Sequence, residues 1–146
     1  MASNQIECVL ASWDTDRPLL QRIRRAVVIE EQKVAESDEW DDEDAVSVHV
    51  LAVLNREPVG TGRLNPAGKI GRIAVVAGLR GRGVGAEIMR RLLEEARRLG
   101  IREAFLHAQV QALPFYEKLG LRSEGGVFDE AGIPPVRTTH ALERSA

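Results

Sequence analysis

The sequence predicts an α/β fold: a mixed, mostly antiparallel sheet of six or seven strands flanked by helices. Three observations predict it. Between residues 45 and 76, three β-like runs follow one another across turns of a few residues, which is how antiparallel strands are joined. A glycine-rich turn, RGRGVG from Arg80 to Gly85, then opens a strongly amphipathic helix. After that helix comes another β-like run, and strand–helix–strand connections of this length place their strands parallel.

Each element has its own signal. Ile6 to Ser12 reads as a short first strand. Asp14, Thr15 and Asp16 offer helix N-caps, and Pro18 suits a first helical turn. Leu20, Ile23 and Val27 follow at helical spacing, with Arg22, Arg24 and Arg25 between them. Glu36 to Asp44 carries seven carboxylates and Trp40, and reads as an exposed loop or a short helix within a loop. Ala45 to Leu54, apolar but for Ser47 and His49, fits a strand buried on both faces. Asn55 to Pro58 turns the chain into Val59–Leu64, a strand weakened by Gly60 and Gly62. A turn at Asn65, Pro66 and Gly68 leads to Ile70–Val76, whose apolar parity slips and points to a bulge near Gly71.

Beyond the glycine turn, Val84, Ile88, Leu92, Ala96 and Leu99 trace one helix face, and Gly100 serves as the C-cap. Arg90, Arg91, Arg97 and Arg98 lie off that face, in i,i+4 reach of Glu94 and Glu95. Glu103 to Ala108 is a strand, and Pro114 to Leu119 is a short helix closed by Gly120. Leu121 to Val127 and Val136 to Leu142 complete the sheet around the turn-rich FDEAGIPP. The 146 residues fit one domain, 1–146.

Composition excludes several classes of function. Net charge is −2, so no global basic field points to nucleic acid. Cys8 is the one cysteine, which leaves no disulfide framework and no cysteine-based metal site. No apolar run approaches the roughly 20 residues that span a bilayer, and the N-terminus lacks a signal-peptide pattern. A cytoplasmic protein without membrane partners is expected.

The chemistry concentrates at RGRGVG. Gly81, Gly83 and Gly85 let the backbone approach a ligand closely, and the first N–H groups of the following helix point outward with the positive end of its dipole. That is an anion cradle, and Arg80 and Arg82 favour phosphate. A plain glycine-rich connection is the alternative. No Gly-Lys-Ser/Thr follows, so a Walker A loop is excluded, and the preceding meander does not begin a dinucleotide-binding βαβ unit.

On these residues the chain resembles the GCN5-related N-acetyltransferases (GNAT). Arg80, Gly83 and Gly85 fit that family's R/Q-x-x-G-x-G/A signature, between a strand, IGRIAVV, and a helix, EIMRRLLEEARRLG. HAQVQALPFYEKLGLRSEG is similar to the family's fifth strand and fourth helix, and the element order β-α-loop-βββ-α-β-α-ββ matches over nearly the whole chain. VVIEEQKV, the AQ before FYEKLG, and FDEAGIP resemble the ElaA/YjcF-like branch, although Pro135 stands where members of that branch tend to carry histidine.

The resemblance implies a GNAT-like sheet whose central strands splay into an acyl-CoA cleft, with acetyl-CoA as co-substrate and no metal. Pyrophosphate would lie on the N–H groups of Arg80, Gly81, Arg82, Gly83, Val84 and Gly85, and pantetheine on the backbone of Ile73, Ala74 and Val75. Tyr116, the single tyrosine, stands at the position of the family's general acid. The implied reaction is direct attack by an amine, from a small molecule or a peptide, within a ternary complex. A non-catalytic acyl-CoA sensor on the same fold is the alternative. An alkylamine is mostly protonated at neutral pH and requires a base. Glu31 is the candidate, with Glu30, the acidic loop, His49 and His107 as alternates. The acidic loop is either a solvated segment or, with Trp40, a lure for a cationic amine. Homodimers through the C-terminal strands would fit the family.

Overall fold

A computed structural model of the chain describes residues 6–27, 41–79, 82–109, 113–127 and 135–141. Strand β1 (Ile6–Ala11) leads into helix α1 (Trp13–Arg24), and a 3₁₀ turn at Asp42–Val46 precedes the meander β2 (Val48–Leu54), β3 (Glu57–Leu64) and β4 (Ile70–Val75). Helix α2 (Val84–Arg98), β5 (Glu103–Gln109), the short helix α3 (Leu113–Lys118), β6 (Arg122–Val127) and β7 (Pro135–Ala141) follow. The α/β architecture expected from the sequence is present. Strands β1-β2-β3-β4 form an antiparallel sheet, and a second sheet runs β5-β7-β6. Among the described residues no helix is long and apolar enough to cross a membrane.

Local chemistry explains where the elements differ from expectation. Strand β2 starts at Val48 rather than Ala45 because the end of the acidic run winds into the 3₁₀ turn, capped by the Asp41 side chain on the Glu43 N–H. Helix α1 starts at Trp13, with Ser12 at the N-cap and its N–H donated to Asp16 Oδ2 (2.8 Å), so Pro18 falls beyond the first turn. Asn55 and Arg56 both take positive φ (51° and 67°), the geometry of a two-residue hairpin turn between β2 and β3.

Helix α2 packs its buried face (Val84, Ile88, Met89, Leu92, Ala96) on Val50, Ala52, Val59, Leu64 and Ile70. Gly60 and Gly62 make that approach possible. A Cβ on Gly62 would lie 2.7 Å from Ile88 Cγ2 and 2.9 Å from Leu92 Cδ1. On the opposite face Leu20, Ile23 and Val27 cover Leu51 and Ala74. The β3–β4 register jumps from Thr61–Ala74 to Arg63–Gly71, so Arg72 and Ile73 together face Gly62. This is the bulge expected near Gly71, with Arg72 left-handed at φ 52°.

Candidate active site

Among the described residues one hydrogen-bonded bridge joins the two sheets. The Phe105 N–H donates to the Gly68 carbonyl (2.9 Å), and Lys69 and Phe105 form a single parallel bridge. Gly68 has φ +97°, and a Cβ there would stand 2.5 Å from the Glu103 carbonyl oxygen, so this contact demands glycine. Beyond the bridge β4 and β5 form no ladder with each other among the described residues. A cleft of ≈ 380 Å³ lies past the far end of β4, lined by Val75 and Leu79, by Gly83, Val84, Gly85 and Ala86 at the start of α2, and by Phe115 of α3.

Gly83 is the N-cap of α2, left-handed at φ 87° with no side-chain cap. The N–H groups of Val84, Gly85 and Ala86 belong to the first helical turn, which has no intrahelical carbonyl for them. Nothing lies within 4 Å of where a Gly83 Cβ would stand, and a Cβ on Gly85 would sit 3.7 Å from Phe115 Cζ. The end of the helix is therefore a roomy concave donor surface at the positive pole of the dipole. Val75, Gly83, Val84 and Gly85, all expected to bind the co-substrate, line this one cleft. Ala74 instead packs on the α1 face, and Ile73 approaches the Gly62 position at 3.2 Å from its notional Cβ. Arg82 lines a separate pocket of ≈ 430 Å³ with Ile6, Leu54 and Asn55. Arg80 and Gly81 lie outside the described residues.

Tyr116 follows Phe115 on α3, and their rings meet edge to face at 5.0 Å. The Tyr116 ring packs against the α2-side core, and burial pushes its phenol above the ordinary value. The hydroxyl therefore stays protonated through neutral pH and can act as a donor. Phe115 also lines the cleft, and its aromatic side chain on a short helix beside the lone tyrosine was the available signal.

Glu30, Glu31 and Trp40 lie outside the described residues. The two histidine alternates are placed differently. His49 is buried, donates from Nε2 to the Asp44 carbonyl (2.8 Å) and stacks on Trp13 at 5.1 Å. Burial lowers its pKa, against the opposing pull of Asp44. That side chain is committed to the fold. His107 is exposed on β5, its ring 6.4 Å from that of Phe105.

In the described end of the acidic loop Asp41, Asp42 and Glu43 are exposed, whereas Asp44 is buried, and Asp41 and Asp44 are both paired with arginines. Asp44 is 1% exposed and takes Arg24 and Arg63, each at 2.8 Å, while Asp41 takes Arg63 at 2.7 Å and Arg72 at 3.0 Å. Burial works to raise the Asp41 carboxyl, but Arg63 and Arg72 outweigh it and hold the pKa below its ordinary value. The pairing was missed because Arg63 lies 22 positions from Asp41; the available signal was an arginine on the Thr61 side of β3.

Comparison with known proteins sets this geometry in context. Residues 13–121 match the model of the acetyltransferase (GNAT) family. YyaT of Bacillus subtilis strain 168, itself uncharacterized, is 39% identical over 130 residues, covering 85% of this chain and 88% of its own length. YjcF of the same organism, named an uncharacterized N-acetyltransferase, is 39% identical over 117 residues, covering 77% of this chain and 83% of its own. Escherichia coli ElaA superposes with a TM-score of 0.82 at 26% identity, over 93% of this chain and 99% of its own.

Proposed function

The chain belongs to the acetyltransferase (GNAT) family, and from that premise we propose that this N-acetyltransferase moves an acetyl group from acetyl-CoA to a primary amine by direct attack in a ternary complex. The observation that carries the reading is the single cleft joining the end of β4, the bare N-terminus of α2 and Phe115 beside Tyr116.

In this reading the pyrophosphate accepts N–H bonds from the turn Arg80 to Gly85, and the pantetheine amides add along Ile73 to Val75 as a peptide adds to a strand. The amine nitrogen attacks the thioester carbonyl, the tetrahedral intermediate collapses, and the C–S bond breaks. Tyr116 donates toward the sulfur as negative charge develops there. A phenol is a weaker acid than a thiol, so the hydrogen bond stabilises the thiolate, and the proton released by the amine completes the balance. Glu31 is the proposed acceptor of that proton, and residues 1–146 act as one domain.

The test is release of coenzyme A from acetyl-CoA across a panel of small amines and peptides. Tyr116→Phe should lower turnover roughly 10²-fold or more while acetyl-CoA binding is retained. Unchanged turnover would remove Tyr116 from the mechanism. Binding without release under any acceptor would point to an acyl-CoA sensor instead.

A further inference from the structure

On the α1 side of the sheet a chain of ion pairs runs from α1 to β4 and takes no part in the chemistry proposed above. Arg24 of α1 and Arg63 of β3 place their Nη1 atoms 2.8 Å from one oxygen, Oδ1 of buried Asp44. Arg63 also grips Asp41, Nη1 to Oδ1 at 2.7 Å and Nη2 to Oδ2 at 3.0 Å. Arg72 Nη2 closes on the same Oδ2, again at 3.0 Å. Arg72 is the left-handed residue of the β4 bulge, a conformation that a side chain with a Cβ keeps only when its surroundings hold it. The next three residues are Ile73, Ala74 and Val75.

We infer that Asp41 is a positioning residue for acyl-CoA: by holding Arg72 it fixes the β4 bulge, and so the direction in which the backbone of Ile73–Val75 meets the pantetheine arm. The inference rests on the pantetheine reading of β4 proposed above. The two carboxylate oxygens divide the work. Oδ1 caps the 3₁₀ turn through the Glu43 N–H (3.1 Å) and meets Arg63, while Oδ2 alone reaches Arg72. Through Arg63 and Asp44 the same clamp is anchored to α1, which gives the bulge a fixed reference in the core.

Asp41→Asn separates these tasks. Its amide oxygen can keep the Oδ1 contacts, but its NH₂ then faces the donors of Arg63 and Arg72, and the tie to the bulge is lost. Two probes are titrated: acetyl-CoA, and adenosine 3′,5′-bisphosphate, which has the phosphates but no pantetheine. Asp41→Asn should raise the Kd of acetyl-CoA about tenfold, roughly 1.4 kcal/mol, and leave that of the bisphosphate unchanged. Arg72→Ala, on a partly exposed side chain, should do the same. Because both variants cut the same Asp41–Arg72 tie, the double variant should also sit near tenfold. Melting curves ensure that every titration is run on folded protein. A hundredfold loss in the double variant, an equal loss for the bisphosphate, or no loss in the single variants overturns the inference. If the unaltered protein binds acetyl-CoA no better than the bisphosphate, the pantetheine reading of β4 itself falls.

Discussion

Replacing Gly68 with alanine tests the joint from which the cleft opens. At φ +97° a Cβ costs about 1–2 kcal/mol of backbone strain. The new methyl would also lie 2.5 Å from the Glu103 carbonyl oxygen and 3.1 Å from Ile101 Cγ2. The nearer partner is backbone, so no rotamer change relieves the overlap and β5 must move. Overpacking of this kind costs roughly 1–3 kcal/mol. Movement of β5 also stretches the 2.9 Å bond from the Phe105 N–H to the Gly68 carbonyl, worth about 1 kcal/mol net. Together these give a loss of roughly 3–6 kcal/mol, which lowers Tm on the order of 10 °C in a domain of this size. Gly71 is the control, since nothing lies within 4 Å of its notional Cβ, and Gly71→Ala should stay within about 0.5 kcal/mol. Thermal melts of the three proteins decide the matter. A Gly68→Ala protein melting within 2 °C (roughly 1 kcal/mol) of the parent would refute the account of the joint.

Asp44→Ala removes the buried carboxylate that Arg24 and Arg63 share and should cost about 3–5 kcal/mol in urea unfolding, whereas Glu87→Ala, at an exposed pair with Arg90, should cost under about 1 kcal/mol; equal losses would refute the distinction. Burial, helped by the charge of Glu87 and opposed by Arg91, pushes the Cys8 thiol from 9.0 up to about 11. Its thiolate is then roughly a hundredfold scarcer, so labelling by a disulfide reagent at pH 8 should be slower by about that factor, and labelling at the rate of a free thiol would contradict it. His49 has a folded pKa below 6.5, so its contribution is complete above that pH and is lost as pH falls through the folded value. Tm should therefore drop on acidification from pH 7 to 5 and drop less in His49→Gln; parallel profiles would count against a buried neutral imidazole.

What could be read from the sequence was local. The described part of the glycine turn (82–85), the apolar stripe of α2 from Val84 to Ala96 and the slip of parity at Gly71 each express backbone geometry over a few residues and stand where expected, whereas Leu99, expected on that stripe, is 52% exposed past the helix end. Family membership followed from the same residues, and the similarity to YjcF and ElaA agrees with the branch that the sequence resembled. Glycine itself was ambiguous. Gly60 and Gly62 read as weak points in a strand, but each makes room for α2, while Gly68 and Gly83 serve by positive φ. Only the neighbour of the missing Cβ tells these uses apart, and that neighbour is distant in sequence.

The acidic run shows the same limit in electrostatic form. Seven carboxylates in nine residues imply a solvated or substrate-attracting segment only if their charge is left unspent in the folded state. Three arginines from α1, β3 and β4 spend it at Asp41 and Asp44. Burying Asp44 is tolerable because two guanidiniums meet it at 2.8 Å; without them the carboxylate would carry a desolvation cost of several kcal/mol. The field left to draw in an ammonium therefore cannot come from Asp44, and at Asp41 it is divided between Arg63 and Arg72. At Asp41 and Asp44, charge that looks like a lure in one dimension is a clamp in three, and what it clamps is the strand proposed to hold the donor.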